Sequence, residues 1–251
     1  MTSAGAPGRA AELADRLAQV RARIAAACAA AGRDPGEITL IAVTKTFPAS
    51  DIGLLAGLGV TDIGENRDQE ARAKAAECAA NGWQVRWHFV GQLQVNKAAS
   101  VARYADVVHS VDRPRLVTAL GARSRAAGRQ ITSLVQVSLE DAPSGAQLPG
   151  ADEELHRGGA APQDVPALAR MIAAEGGLVL GGVMAVAPLG EPPAPAFRRL
   201  RQVADQVRSE YPDARGISAG MSADLDAAIA EGATHVRVGT ALLGGRRAFV
   251  R

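Results

Sequence analysis

The sequence predicts an α/β protein built as one (β/α)8 barrel of TIM type, with an extra helix at its N-terminus. Three observations carry that prediction. Eight short apolar segments alternate with helical ones along 251 residues, as parallel strands joined by crossover helices do. Aromatic residues make up 3% of the chain against 47% hydrophobic, so the core has to come from Val, Ile, Leu and Ala. The first strand runs into Lys-Thr-Phe-Pro, whereas an open, doubly wound sheet usually offers a Gly-rich turn at that point.

Taken in order, Arg9 to Ala31 reads as an amphipathic helix, with Leu13, Leu17, Val20 and Ile24 at helical spacing and Gly32 as its stop. ITLIAVTKT (Ile38–Thr46) follows as a β-branched run fit for a strand buried on both faces. ASDIGLLAGLG is a helix, TDIGEN a strand and DQEARAKAAECAANG a helix. RWHFVG, the helical VNKAASVARYA and the strand DVVHSVD continue the alternation. RPRLVTALGARSRAAG is helical and ITSLVQVSL is the fifth strand. From Asp141 to Gln163 the pattern dissolves into Pro, Gly, Ser and acidic residues, which reads as a long mobile surface loop. The helix DVPALARMIAAEGG, the strand LVLGGVMAV and the helix AFRRLRQVADQVRSEY come next. GISAGM is a strand, SADLDAAIAEG a helix and THVRVGTALLG the last strand. All 251 residues form one domain on this reading, with the first eight expected to be disordered.

Bulk properties exclude several classes. A formal charge of +2, without a basic run, gives no electrostatic case for nucleic acid. Cys28 and Cys78 sit in Ala-rich helical stretches and read as free thiols of a reducing compartment. No metal-ligand spacing appears among the four histidines and two cysteines. The N-terminus lacks a basic start followed by an apolar run, and no segment is apolar enough to span a membrane. A cytoplasmic protein is the expectation.

Lys45 is the most informative residue. It stands at the C-terminal end of an apolar strand, where barrels place their active sites. Burial there disfavours an ammonium, and a neutral amine can attack a carbonyl to form a Schiff base. The strand alone leaves open a lysine that reaches out to solvent. The C-terminal region adds weight. Ser218, Gly220 and Ser222 lie between a strand and a helix start, where free N–H groups suit a phosphate. Arg237, Gly239 and Thr240 follow on the last strand. Barrels often bind phosphate in the loops after strands seven and eight, and these are those loops. Each could be an ordinary glycine turn; with Lys45 they converge on one rim.

The segments AVTKTFP, IGENRDQE, WHFVGQLQVNK, HSVD, GVMAVAP and SAGMSADLDAAIAEGATHVRVGTALLG resemble, in order from Ile38 to Gly244, the motifs of the YggS/PROSC-type pyridoxal phosphate homeostasis family. That family has the fold of the alanine racemase N-terminal domain, fold type III. The resemblance implies pyridoxal 5′-phosphate (PLP) held as a Schiff base on Lys45. It implies phosphate ligands at Ser222, Gly239 and Thr240, with Ser218 beside them. Arg237 matches the residue facing the pyridine nitrogen, and Asn66 a polar contact on the cofactor side. His88 and Met184 match further rim motifs. The segment from Asp141 to Gln163 is longer than the family usually has.

The resemblance further implies a holder of PLP rather than a converter of amino acids. PLP supports carbanion chemistry best when its ring nitrogen is protonated, usually opposite a carboxylate. An always-charged arginine opposite that nitrogen keeps it unprotonated. Racemisation remains open, but it needs acids and bases on both faces of the substrate carbon. Alanine racemases take one of them, a tyrosine, from a second domain that this chain is expected to lack. Tyr104 and Tyr211 read as packing residues, and His88 as a hydrogen-bonded core histidine. The expected role is reversible binding of PLP and its delivery to apoenzymes in transient contact, by a monomer. Two rivals stand beside it. An amino-acid racemase would turn over single enantiomers of alanine or serine. A Schiff-base aldolase on a sugar phosphate would purify colourless.

Overall fold

The computed structural model describes residues 8–140 and 158–245. The eight expected strands close into a barrel in sequence order, β1 to β8, every neighbouring pair parallel. They are β1 (Thr39–Val43), β2 (Asp62–Glu65), β3 (Arg86–Phe89), β4 (Val107–Val111), β5 (Ile131–Gln136), β6 (Leu178–Met184), β7 (Gly216–Ser218) and β8 (His235–Val238). The helices are α1 (Arg9–Ala30), α2 (Ala49–Gly57), α3 (Asp68–Ala80), α4 (Ala98–Val101), α5 (Pro114–Ala126), α6 (Val165–Ala174), α7 (Pro193–Glu210), α8 (Leu225–Ala230) and α9 (Thr240–Leu243). β1 closes the ring against β8, with Thr39 opposite His235 and Ile41 opposite Arg237.

The first helix covers the seam of the barrel. Leu13, Leu17, Val20 and Ile24 are buried in one cluster with Leu225 and Ile229 of α8 and Leu242 and Leu243 of α9. Each such leucine contributes about 1.5–3 kcal/mol of burial. Arg9 pairs with Asp51 of α2 at 2.6 Å, and Arg23 with Asp226 of α8 at 2.6 Å.

Several boundaries fall short of the sequence expectation, among them β5 at Gln136, β7 at Ser218 and the start of α8 at Leu225, and three differ in kind or bear on the site. The eighth strand stops at Val238, and Thr240–Leu243 is helical. A short apolar run such as TALLG fits either period, so its pattern could not separate strand from helix. The fourth helix keeps only Ala98–Val101, entered through a 3-10 turn at Val95–Lys97. β1 ends at Val43, and Thr46 takes a left-handed φ of 69° just beyond it.

The expected disorder of residues 1–8 falls, but for Gly8, outside the described residues, as does the loop from 141 to 157. The end of that loop is described, and it is anchored. The Ala160 N–H donates to Gln136 O at 2.8 Å, the Ser138 N–H donates to Ala160 O at 2.9 Å, and the Gln136 side-chain amide donates to Gly158 O. Pro162–Asp164 then forms a 3-10 turn into α6. Among the described residues, no helix is long and apolar enough to cross a membrane.

Candidate cofactor-binding site

A pocket of about 350 Å³ opens at the C-terminal ends of the strands. Its lining joins residues distant in sequence: Lys45 after β1, Asn66 after β2, Ser222 after β7, Arg237 on β8, and Gly239 and Thr240 beyond it. Six of the nine expected site residues therefore meet at one place. Val43, Val90 and Val186 supply apolar wall.

Lys45 lines this pocket but is exposed, not sunk into the mouth. That corrects the expectation of a desolvated amine. The reason lies in the strand end: β1 stops two residues earlier, so Lys45 belongs to the turn on the rim. What the rim placement provides is access to the pocket.

The turn itself is tied down from below. Lys74 of α3 is buried, and its Nζ donates to Thr44 O at 2.8 Å, Glu65 Oε1 at 2.7 Å and Glu70 Oε1 at 2.6 Å. The Thr44 hydroxyl donates to Glu65 Oε1 at 2.6 Å, and the Thr46 N–H donates to Glu70 Oε1 at 2.6 Å. The residues on both sides of Lys45 are thus fixed to one charged cluster. The sequence reading missed it, because DQEARAKAAECAANG looks like a solvated helix.

On β8, the strand next to β1, Arg237 is 4% exposed. Its Nη1 donates to Ser218 Oγ at 2.6 Å and its Nη2 to Ala185 O at 2.9 Å. It makes no ion pair among the described residues, and burial lowers its pKa to about 10. The Ser222 hydroxyl accepts from the Ala241 N–H at 3.4 Å, joining the turns after β7 and β8. Gly220 there holds a φ of 86°, which an L side chain rarely adopts.

Three expected residues are not in the pocket lining. Ser218 is fully buried beneath it and supports Arg237. His88 lies in the interior with both ring nitrogens engaged, by Asp62 Oδ1 at 2.8 Å and by His109 Nε2 at 2.9 Å. Met184, 1% exposed, packs with Val107 and Leu134. His88 and Met184 are strand residues, so they stop short of the rim formed by the loops. Tyr104 stands edge-on to Trp87, and no tyrosine or carboxylate lines the pocket among the described residues.

The residues present fit a phosphorylated, carbonyl-bearing ring. The buried cation Arg237 faces the pocket without a counter-ion among the described residues. Asn66 Oδ1 is buried with no hydrogen-bond partner. At Gly239 a Cβ would come within 3.3 Å of Val43 O, so the backbone packs there more closely than a side chain comfortably allows.

Comparison with known proteins gives the chain a family and a fold. Residues 16–247 match the family model of the alanine racemase N-terminal domain. A protein of Mycobacterium tuberculosis named pyridoxal phosphate homeostasis protein is 44% identical, over 96% of this chain and 95% of its own. One of the same name from Escherichia coli is 39% identical, over 94% and 97%. Among solved structures, PipY of Synechococcus elongatus with PLP bound superposes with a TM-score of 0.75 at 34% identity, over 92% of this chain and all of that one. The alanine racemase of Corynebacterium glutamicum shares the fold alone, with a TM-score of 0.65 at 14% identity over 96% of this chain and 62% of its own. The chain belongs to the alanine racemase N-terminal domain family, among the pyridoxal phosphate homeostasis proteins.

Proposed function

We propose that this protein binds PLP reversibly through Lys45 and serves PLP homeostasis, without strong catalytic activity of its own. The single observation that carries the reading is the meeting in one pocket of Lys45 with Ser222, Arg237, Gly239, Thr240 and Asn66. When bound, PLP supplies an aldehyde for a lysine amine and an electron-withdrawing ring. Ser222, Gly239 and Thr240 would hold its phosphate. Arg237 would face the ring nitrogen as a donor and keep a proton off it. Asn66 would offer a polar contact on the cofactor side.

The lining supports a carrier over a racemase. Two-sided proton transfer needs a second acid or base beside Lys45, and the described lining offers neither tyrosine, histidine nor carboxylate. His88, the one histidine weighed for that part, spends both nitrogens inside the barrel. As part of this reading the protein works as a cytoplasmic monomer and passes PLP to apoenzymes in transient contact.

The test is a titration of purified protein with PLP, followed by visible absorbance. Wild type develops a lysine–PLP band; Lys45→Ala does not. A Lys45→Ala variant that keeps the band contradicts the assignment. Incubation of the loaded protein with single enantiomers of alanine or serine yields no turnover above that of free PLP, and sustained racemisation would move the reading to an enzyme.

A further inference from the structure

The barrel interior holds a chain of hydrogen bonds that the pocket lining does not require. Asp62 Oδ1 meets His88 Nε2 at 2.8 Å, and His88 Nδ1 meets His109 Nε2 at 2.9 Å. His109 Nδ1 meets Ser218 Oγ at 2.9 Å, and Arg237 Nη1 reaches the same oxygen at 2.6 Å. His88, His109, Ser218 and Arg237 are buried, the first three at no more than 1% exposure. Asp62 lines a cavity of about 560 Å³ at the N-terminal ends of β1 and β2, together with Thr39 and Arg21. The chain therefore crosses the barrel from that cavity to the pocket of Lys45.

Its proton order follows from its two ends. A guanidinium only donates, so Ser218 Oγ accepts from Arg237. The serine proton then goes along the chain to His109 Nδ1, which must be bare. His109 carries its proton on Nε2 and donates to His88 Nδ1. His88 carries its proton on Nε2 and donates to Asp62. An ionised carboxylate only accepts, so the far end demands the same direction. One order satisfies all five groups, with both imidazoles neutral. Burial pushes both histidines below their ordinary range. Burial works against the charge of Asp62, but the hydrogen bond from His88 and the charge of Arg86 hold its pKa below the usual carboxylate value.

We propose that His109 and His88 are positioning residues for Arg237: the ordered chain from Asp62 draws the Ser218 proton to His109, turns the serine lone pairs toward the guanidinium, and so fixes the donor that meets the ring nitrogen of PLP. This inference rests on the reading of Arg237 given above. The donor's direction is set from the opposite end of the barrel. His235 stands beside the chain without joining it. Its ring lies 6.3 Å from that of His109 and 6.4 Å from that of His88, and its Nδ1 is engaged by Thr234.

Two measurements test it. The first needs no cofactor: long-range proton–nitrogen spectra of histidine-labelled protein at pH 7.5. Both His88 and His109 are expected neutral, with the proton on Nε2; a proton on Nδ1 of either overturns the order. The second compares His109→Leu with His109→Gln in PLP-loaded protein. Glutamine can accept from Ser218 and donate to His88, so it keeps the order; leucine cuts it. His109→Leu is expected to weaken PLP retention about tenfold and to shift the pH midpoint of the visible band, and His109→Gln to restore most of both. Should His109→Leu fail to fold, Ser218→Ala cuts the chain at the next link and is expected to shift the same midpoint. A wild type that forms the band, with variants that titrate as it does, overturns the relay and leaves the cofactor reading intact. A wild type that forms no band sinks the cofactor reading, and with it the role assigned to Arg237, while the tautomers still decide the proton order.

Discussion

Two buried polar networks lie beneath the pocket, one under Lys45 and one under Arg237, and they handle charge in opposite ways. The first is ionic: Lys74 is shared between Glu65 and Glu70 and bonded to the backbone of Thr44. The second keeps its interior neutral, passing from the charged Arg237 through Ser218, His109 and His88 to the carboxylate of Asp62 near the opposite end. The ionic cluster anchors a rim turn whose lysine stays accessible. The neutral chain holds a cation that is itself buried. The exposed rim lysine stands on a turn fixed by charge, whereas the buried guanidinium is met by two neutral acceptors, Ser218 Oγ and Ala185 O.

The difference is open to attack, and the largest effect comes from the ionic side. Lys74→Ala strands Glu65, which is 1% exposed, and should lower stability by about 3–5 kcal/mol in urea unfolding. Replacing Glu65 and Lys74 together by Leu and Met should recover much of that loss. A Lys74→Ala protein as stable as wild type would mean that the cluster is not a floor at all.

The neutral side should show itself through acid. His88, His109 and His235 all have lowered pKa values, chiefly from burial, with His235 near 4. Unfolded histidine binds its proton at about pH 6.5, so below that pH the unfolded state holds more protons than the folded one. Stability present above pH 6.5 is therefore lost as the pH falls toward 4, by about 1.4 kcal/mol per pH unit for each histidine still neutral in the fold. Urea midpoints taken between pH 8 and pH 5 check this, and a flat profile through pH 6 would contradict it. Cutting the chain at one link costs less. Ser218→Ala removes the acceptor of Arg237 Nη1 and the donor to His109, worth about 1–3 kcal/mol. The smallest effect is on the rim: Thr46→Gly relieves a left-handed φ of 69° and should stabilise by about 0.5–1 kcal/mol.

The same contrast explains what the sequence made legible. Parallel strands covered on both faces read as apolar runs, as in β1 and β6; the short β2, β3 and β7 were legible only from their regular alternation with helical segments. The rim residues, each ordinary alone, became legible because Lys45 and the turns after the seventh and eighth strands converge on one rim, and because the family resemblance joined them and added Asn66. Lys74 was not visible, since its burial depends on Glu65 and Thr44, nine and thirty residues away, meeting it in space. His109, in VVHSV, passed unweighed for the same reason. A histidine amid a buried strand needs partners, but nothing local names Ser218, more than a hundred residues on. Expecting Lys45 to be desolvated went astray by assuming that the strand ran on to Thr46.

The central claim is that one amine takes up PLP, and the chain allows a clean decision because Lys45, Lys74 and Lys97 are its only lysines. Borohydride reduction of PLP-loaded protein, followed by intact mass and peptide mapping, reads the result directly. The account predicts a single reduced adduct on the peptide that carries Lys45. An adduct on Lys74 or Lys97 with Lys45 unmodified, or none at all, would contradict it.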